Sequence, residues 1–250
     1  MNISKYYNEF YTRAEKSAAH ALLCRRVYGR NLCQHGMADM LQLEALLTQL
    51  AIQPTDIVLD LGCGNGYITE YLYDHAPAQY VGMDLSEAAI QQAQKHTATQ
   101  SKKLKFVVGD FSQLDYPMQS FDKIVSIDSH YFLENAEPWL QRLYSMLRNN
   151  GKLAIFSDEG TGQTGYDDTD VSAAETLMGQ RFSRLGYEYT AVNFTNANQA
   201  HWRLKKQIIE ELFEQFADED NLLLYDNRLN ECTSANHNLD CRYLYIVHKR

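Results

Sequence analysis

One stretch decides the fold of this chain: Val58-Leu59-Asp60-Leu61-Gly62-Cys63-Gly64-Asn65-Gly66-Tyr67. Residues 57–61 form an apolar run broken only by Asp60, which is typical of a strand buried on both faces of a parallel sheet. Three glycines follow at every second position, and they allow a tight turn that brings bare backbone against a ligand. A helix is predicted from Tyr67 to about His75. A strand, a glycine loop and a helix N-terminus in this order predict a nucleotide-sized pocket.

The spacing of the glycines distinguishes two kinds of nucleotide-binding loop. The dinucleotide fingerprint Gly-x-Gly-x-x-Gly is not met, because the third glycine comes one residue early and Tyr67 takes its place. The pattern Asp-x-Gly-x-Gly-x-Gly over residues 60–66 resembles the first motif of class I S-adenosylmethionine (SAM)-dependent methyltransferases. The resemblance implies a binding site for SAM, and for its product S-adenosylhomocysteine, that includes Asp60, Gly62, Cys63, Gly64 and Gly66.

Apolar runs further along the chain predict the rest of a sheet. Four strands are expected at Tyr80–Met83, Leu104–Val108, Lys123–Ile127 and Lys152–Ser157. Helices are expected from Pro138 to about Asn150 and over Val171–Leu185. Two segments with alternating polarity, Tyr187–Phe194 and Arg242–His248, predict the last two strands. The resemblance covers residues 58–157 and implies an α/β, Rossmann-like fold: seven mostly parallel strands, helices on both faces and an antiparallel last strand.

Two acidic residues follow predicted strands at the edge where a nucleoside would bind. Asp84 lies 18 residues after Gly66, and a carboxylate there accepts hydrogen bonds from the ribose hydroxyls. Its neighbour Leu85 is expected to cover one face of the adenine. In the methyltransferase pattern Asp110 reaches the adenine amino group, and Phe111 supplies a backbone N–H. Ile127, which ends the fourth strand, completes this part of the predicted cofactor site.

The acceptor side of the site is predicted from aromatic and titratable residues. His130 and Tyr131 follow the fourth strand, where the nucleophile binds in this fold, and His130 is either a base or a packing residue. His35 lies in a link between two N-terminal helices, and we expect it to shape the same pocket. Tyr7 either closes over the methionine end of SAM or packs in the core. His130, Tyr131 and His35 are the candidate catalytic residues.

The chain is longer than the predicted sheet requires. We assign residues 51–195 to the SAM-binding core and residues 239–250 to its last strand. Residues 1–50 and 196–238 are predicted to form a helical cap over the substrate site. Residues 1–36 and 196–238 have net charges of opposite sign, so these two segments either meet in space or each present a solvated face. In the second segment one helix is expected from Asn198 to Phe216. Its apolar face comprises Trp202, Ile209, Leu212, Phe213 and Phe216.

Composition limits the partners that are expected. The net charge is −9, which disfavours nucleic acid because phosphate binding needs a basic face. The five cysteines have no Cys-x-x-Cys spacing, so neither a metal nor a redox site is predicted. No apolar run approaches the ~20 residues of a membrane span, and residues 1–10 lack the apolar centre of a signal peptide. We therefore expect a cytoplasmic monomer or homodimer that acts on a small molecule.

The function implied by the resemblance is methyl transfer from SAM to a small-molecule acceptor by in-line displacement. The sulfonium makes the methyl group electrophilic, so the protein mainly positions the reactants and excludes water. A base is needed only if the acceptor arrives protonated. The alternatives are a SAM-binding protein without methyl transfer and an RNA or protein methyltransferase. The segment Ile127–Tyr131 lacks the prolines with which amino-methyltransferases of nucleic acids hold a flipped base.

Overall fold

A computed structural model of the chain describes residues 2–133, 135–162, 167–233 and 240–250. Seven strands form one sheet within these ranges: β1 (Ile57–Leu61), β2 (Gln79–Asp84), β3 (Leu104–Val108), β4 (Phe121–Ile127), β5 (Leu147–Ser157), β6 (Tyr189–Asn193) and β7 (Tyr243–His248). Their order is β3-β2-β1-β4-β5-β7-β6. β7 pairs antiparallel with both of its neighbours, and the pairs among β1 to β5 are parallel. The predicted Rossmann-like sheet is confirmed.

Helices cover both faces of this sheet. The α-helices of the described residues are α1 (Ile3–Ala14), α2 (Ala18–Tyr28), α3 (Met40–Leu50), α4 (Tyr67–His75), α5 (Glu87–His96), α6 (Ala136–Met146), α7 (Leu177–Leu185), α8 (Thr195–Glu211), α9 (Phe213–Asp218) and α10 (Leu222–Thr233). Side chains of α3, α4 and α5 share one hydrophobic cluster with the sheet, and those of α6 and α7 share a second cluster. β5 contributes to both, because successive side chains of a strand point to opposite faces. Ala154 and Phe156 belong to the first cluster, and Leu153 and Ile155 to the second.

A third hydrophobic cluster joins the N-terminal helices to the helices between β6 and β7. Phe10 of α1, Leu23 of α2 and Ile209 of α8 are buried in it, together with side chains of α9 and α10. Polar contacts reinforce this packing, since Glu219 accepts hydrogen bonds from the Ser17 hydroxyl at 2.5 Å and from the Ala19 N–H at 2.8 Å. The oppositely charged segments therefore meet in space.

Two predicted helices begin or end at the wrong residue. The helix predicted to run to Asn150 ends at Met146, and β5 begins at Leu147, opposite Phe121 of β4. The helix predicted from Val171 begins at Leu177, because the Thr176 hydroxyl caps it by accepting the Gly179 N–H at 3.1 Å. In both cases a contact distant in the sequence accompanies the boundary, and Thr176 also lies 2.6 Å from the hydroxyl of Tyr245.

The single helix predicted over residues 198–216 is two helices. α8 ends at Glu211, and α9 begins at Phe213 after a break at Leu212, whose N–H is shared between the carbonyls of Ile208 and Ile209. The break turns Phe213 away from the apolar face to which it was assigned, and its side chain is 41 % exposed. The other four residues of that face are buried, as predicted.

Candidate active site

The glycine loop joins β1 to α4 and is fixed against the end of β2. Gly62, Gly64 and Gly66 have φ angles of +74°, +54° and +77°, in the left-handed region that other residues rarely adopt. The Gly62 N–H donates to the carbonyl of Met83 at 2.8 Å, and the Gly64 N–H donates to Asp84 Oδ2 at 2.8 Å. Because α4 starts directly after the loop, the unpaired N–H groups of its first turn lie beside it.

Asp84, at the end of β2, presents a fixed carboxylate. Oδ2 accepts the Gly64 N–H, and Oδ1 accepts the Ser86 N–H at 2.8 Å. Burial raises the pKa of this carboxyl above its usual value, while these backbone donors act in the opposite direction. Each oxygen keeps a further lone pair for a ligand. Asp84 can therefore accept hydrogen bonds from a diol.

A cavity lies in front of this loop, at the carboxyl ends of the parallel strands, and we call it the main cavity because it adjoins the predicted cofactor residues. Its volume is about 220 Å³. Its wall comprises Ile3, Tyr7, Tyr11, His35, Gly36, Gly62, Asp84, Leu85, Asp110, Phe111, Ser112, Ile127, Asp128, Ser129, Phe132 and Leu133. One side is thus made of the predicted cofactor residues at the ends of β1 to β4. The opposite side is aromatic and comes from α1 and from the link that contains His35.

A smaller cavity of about 40 Å³ adjoins the main one and shares five of its wall residues. Asp60, Cys63 and Gly64 line only the smaller cavity. Asp60 is buried, and its Oδ2 accepts the hydroxyl of Thr69 at 2.6 Å. Burial raises the pKa of the Asp60 carboxyl to about 6, and the Thr69 hydroxyl opposes this shift. The glycine loop therefore contributes to both cavities, since Gly62 lines both of them and Gly64 lines the smaller one.

The predicted cofactor residues come together, with one exception. Gly62, Asp84, Leu85, Asp110, Phe111, Ile127 and Tyr7 line the main cavity, and Asp60, Cys63 and Gly64 line the smaller one. Gly66 lines neither. A Cβ on Gly66 would lie 2.8 Å from the Cβ of Ala93 and 2.8 Å from the ring of Phe106, so this glycine allows close packing of the loop against α5 and β3.

The three candidate catalytic residues are separated by the structure. His35 lines both cavities, whereas His130 and Tyr131 line neither. The imidazole of His130 is buried, and its Nε2 lies 3.3 Å from Glu159 Oε2. The Tyr131 hydroxyl accepts the N–H of Asp158 at 3.1 Å. Both side chains thus contact the start of the loop after β5, and their catalytic roles stay predictions.

His35 is held by groups from two helices, α1 and α10. Its Nε2 lies 3.3 Å from the hydroxyl of Tyr6 and 3.3 Å from Glu231 Oε1, and its carbonyl accepts a hydrogen bond from Arg228 at 3.2 Å. Its ring packs edge-on against Tyr7, with the ring centroids 5.0 Å apart. Burial and the nearby Arg228 guanidinium lower the pKa of His35 to about 3. The imidazole is therefore neutral at pH 7.

An ion pair that sequence reasoning missed lies beneath the cavity. Asp128, directly after β4, has a φ of +52°, and its carboxylate accepts two hydrogen bonds from Arg242 at 2.7 and 3.0 Å. It also accepts the Met37 N–H at 2.7 Å. Arg242 is fully buried and donates to Gln42 at 2.7 Å. The only sequence signal is a charged residue beside each of two buried strands.

Two further cavity residues were also missed, although their positions carried a signal. Tyr11 lies four residues after Tyr7 on α1, so both rings are on the same face of that helix. If Gly64 had a Cβ, that atom would lie 2.2 Å from the hydroxyl of Tyr11. Phe132 follows the two residues that were chosen after β4, and its ring is 5.9 Å from that of Tyr7.

The described ranges also bear on metal and membrane sites. They contain no group of three or more His, Cys, Asp or Glu side chains that could hold a metal ion. None of their helices combines the length and apolarity required to cross a membrane. Between β5 and α7, residues 163–166 lie outside the described ranges.

Comparison with known proteins agrees with this geometry. The sequence model of a family described as "Methyltransferase domain" matches residues 58–151. Phosphoethanolamine N-methyltransferase 3 of Arabidopsis thaliana is 26 % identical over 73 % of this chain and 38 % of its own length. Sterol 24-C-methyltransferase of Pneumocystis carinii (strain B80) is 32 % identical over 51 % of this chain and 34 % of its own length. The chain thus spans little more than a third of these relatives.

A solved structure extends the likeness to the whole chain. Phosphoethanolamine N-methyltransferase 2 of Haemonchus contortus, in complex with phosphomonomethylethanolamine and S-adenosylhomocysteine, superposes with a TM-score of 0.74. The match covers 100 % of this chain and 61 % of that one, at 17 % identity. Residues 58–151 therefore resemble a methyltransferase domain in sequence, and the chain as a whole has the fold of this methyltransferase.

Proposed function

We propose that the chain binds SAM and transfers its methyl group to a small-molecule acceptor. One observation carries the proposal: the glycine loop, the Asp84 carboxylate and an aromatic wall surround two adjoining cavities at the carboxyl ends of the strands. Parallel α/β sheets bind ligands at this edge, where the strand order reverses. The methyltransferase domain matched over residues 58–151 supports the same function.

The cofactor fits the residues that surround these cavities. Asp84 accepts the ribose hydroxyls, Leu85 and Phe111 enclose the adenine, and Asp110 lies at its amino group. The smaller cavity, beside Asp60 and the glycine loop, receives the methionine end. Bound SAM supplies a methyl group on a positively charged sulfur, which needs no further activation. The protein excludes water and holds the acceptor on the side of Tyr7 and His35.

A strong base is missing from the described wall of the main cavity. His35 is neutral at pH 7, but a pKa of about 3 makes its imidazole a weak proton acceptor. The carboxylate of Asp128 is engaged by Arg242, which holds its pKa below the usual value. The acceptor therefore enters with a free lone pair, and His35 serves to position it rather than to deprotonate it.

The wider setting is part of the proposal. The five cysteines are free thiols, which fits a reducing compartment such as the cytoplasm. The acidic net charge supports a small molecule rather than nucleic acid. A monomer or a homodimer is expected, and sedimentation equilibrium distinguishes the two. SAM binding without methyl transfer, or transfer to a protein or RNA, is the alternative that the following experiment separates.

The test is binding and turnover with matched variants. Calorimetry measures the affinity for SAM and S-adenosylhomocysteine, and SAM with a radiolabelled methyl group is incubated with a pool of small metabolites. Asp84→Ala should weaken binding by roughly 1–3 kcal/mol, the scale of lost charged hydrogen bonds. Asp115→Ala, at an exposed position away from the cavities, is the control. Equal affinities of the two variants would remove Asp84 from the site, and equal affinity for NAD would overturn the assignment.

A further inference from the structure

The acceptor side of the main cavity is a cluster of four rings. Tyr7 lies at its centre: its ring centroid is 5.0 Å from that of His35, 5.9 Å from that of Phe132 and 6.4 Å from that of Tyr11. All four residues line the cavity. The face of an aromatic ring carries partial negative charge, and it attracts a cation that lies within about 6 Å of its centre.

The charged side chains on the described cavity wall are all negative. The charged side chains that line it are those of Asp84, Asp110 and Asp128, and neither lysine nor arginine occurs among the described wall residues. The positions outside the described ranges contain no lysine or arginine in the sequence. A phosphate or carboxylate ligand would have no cationic side chain to bind it here.

Three basic side chains that lie behind residues of the cavity wall are already paired with carboxylates. The guanidinium of Arg242 binds the Asp128 carboxylate from the protein interior. Behind His35, Glu231 pairs with Arg228 at 2.9 Å and with Lys205 at 2.6 Å. These three basic side chains are fully buried. An anionic acceptor could recruit one of them only by breaking a buried pair, which is strongly unfavourable.

This electrostatic environment suits methyl transfer to an amine. When a neutral amine attacks, its lone pair forms the new N–C bond while the electrons of the S–C bond pass to sulfur. Positive charge moves from sulfur to nitrogen, and the total charge is unchanged. A wall of ring faces and carboxylates stabilises that charge throughout the transfer. An amine that arrives protonated can lose its proton to water before it attacks. A hydroxyl acceptor would have to lose its proton during the transfer, and His35, the one histidine among the described wall residues, is a weak base.

We propose, building on the function above, that the acceptor is an amine that binds against Tyr7, Phe132 and His35, and that the cavity excludes acceptors bearing phosphate or carboxylate. The inference names the acceptor class and the residues that select it. A site for a phosphorylated amine needs a cationic side chain at the phosphate. The absence of such a side chain from the described wall distinguishes this cavity from a site of that kind.

The test uses three probes that differ mainly in charge: choline, its uncharged carbon isostere 3,3-dimethylbutan-1-ol, and phosphocholine. Each is titrated by calorimetry into the protein saturated with S-adenosylhomocysteine. Choline should bind about 3- to 10-fold more tightly than the isostere, the range of one or two cation–ring contacts. Phosphocholine should bind more weakly than choline. In turnover with SAM, N,N-dimethylethanolamine should be methylated faster than its phosphate ester.

Two substitutions show whether the rings are responsible. Tyr7→Leu and Phe132→Leu should each remove most of the preference for choline over the isostere, while affinity for the isostere changes little. Tyr7→Phe keeps the ring and should keep the preference. A general loss of structure would instead weaken both probes together, which thermal unfolding of each variant detects independently.

The two possible failures can be told apart. If S-adenosylhomocysteine does not bind, the proposed function falls and the inference falls with it. If S-adenosylhomocysteine binds but choline binds no better than its isostere, or no better than phosphocholine, only the inference is overturned. The same holds if the choline preference survives in Tyr7→Leu.

Discussion

Gly64 combines two constraints at a single residue of the glycine loop. Its φ of +54° is unfavourable for any residue with a Cβ, and that Cβ would lie 2.2 Å from the hydroxyl of buried Tyr11. Gly64→Ala therefore strains the loop and displaces a cavity ring. We expect it to weaken S-adenosylhomocysteine binding by at least about tenfold and to lower stability by more than the 1–2 kcal/mol of the conformation alone.

Gly186 provides the matched control for Gly64. It has a φ of +69°, but no atom lies within 4 Å of the Cβ that alanine would add, and it lies at the end of α7, away from the cavities. Gly186→Ala should cost about 1–2 kcal/mol of unfolding free energy and leave affinity unchanged. Calorimetry and chemical denaturation measure both quantities. Equal losses of affinity in the two variants would show that contact with Tyr11 is unimportant.

Asp60 should make the protein less stable as the pH rises, which is the opposite of the usual effect of a carboxyl group. Its folded pKa of about 6 lies above the ordinary value of 3.8, so the fold favours the protonated carboxyl. This contribution is fully present below about pH 4 and is lost as the pH rises through 6. Asp60→Asn keeps an acceptor for the Thr69 hydroxyl and carries no charge. At pH 7 to 8 it should be more stable than the wild type, by up to about 3 kcal/mol.

The measurement for Asp60 is the free energy of unfolding between pH 4 and 8. The advantage of Asp60→Asn should shrink as the pH falls from 6 toward 4. Asp115→Asn, at an exposed position, should follow the wild type throughout. A stability difference between Asp60→Asn and the wild type that is constant with pH would mean that the Asp60 carboxyl does not titrate in this range.

Among the secondary-structure elements, β7 connects the sheet to the site. Arg242 immediately precedes this strand, and its guanidinium reaches both Asp128, after β4, and Gln42 of α3. Asp128 in turn holds the link before α3 through the N–H of Met37. The antiparallel last strand thus fixes the backbone next to Gly36 and His35. Removing one partner leaves the other charge buried without compensation, which costs about 3–5 kcal/mol.

We therefore expect Arg242→Met to destabilise the protein by about 3–5 kcal/mol in chemical denaturation. The control is Arg184→Met, which removes an ion pair with Glu137 on the surface, where such pairs contribute about 0–1 kcal/mol. The double variant Asp128→Asn/Arg242→Met should recover part of the loss, because it leaves no buried charge. Similar effects of the two single substitutions would show that the buried pair contributes no more than the exposed one.

Across the whole molecule, the sequence predicted those features of the fold that depend on neighbouring residues in the chain. The glycine spacing and the apolar runs indicated the sheet, and the strands begin and end within a few residues of their predicted positions, except for the start of β5. Boundaries set by distant partners were not predictable. Leu147 begins a strand because it lies opposite Phe121, and Thr176 begins a helix while contacting Tyr245. No helical or alternating pattern contains that information.

The same distinction applies to the site. Asp84 and Asp110 were found because they lie one and two residues after the end of a predicted strand. The pair of Asp128 and Arg242 is 114 residues apart in sequence, so no local pattern reveals it. The choice between His130 and Phe132 depends on the backbone after β4, where Asp128 adopts a left-handed conformation. That conformation and the following turn leave Phe132 lining the cavity, and His130 does not.

The helices outside the sheet should respond to the cofactor as one unit. α1 lies against the cofactor side, since the Asn8 carboxamide oxygen accepts hydrogen bonds from the Ser86 hydroxyl at 2.9 Å and from the Ala88 N–H at 3.0 Å. The same helix shares a hydrophobic cluster with α8, α9 and α10. A ligand bound between Tyr7 and Asp84 therefore contacts both parts and should slow their local opening.

Hydrogen exchange with and without S-adenosylhomocysteine tests this cap. Protection should increase in α1 and α10, and it should change little in α6, which packs on the opposite face of the sheet. Asn8→Ala removes two hydrogen bonds between α1 and the start of α5, so it should reduce the increase in α10 more than that in the glycine loop. If protection of α1 and α10 is the same in both states while the glycine loop becomes protected, the cofactor binds without ordering the cap. The acceptor would then reach a preformed cavity.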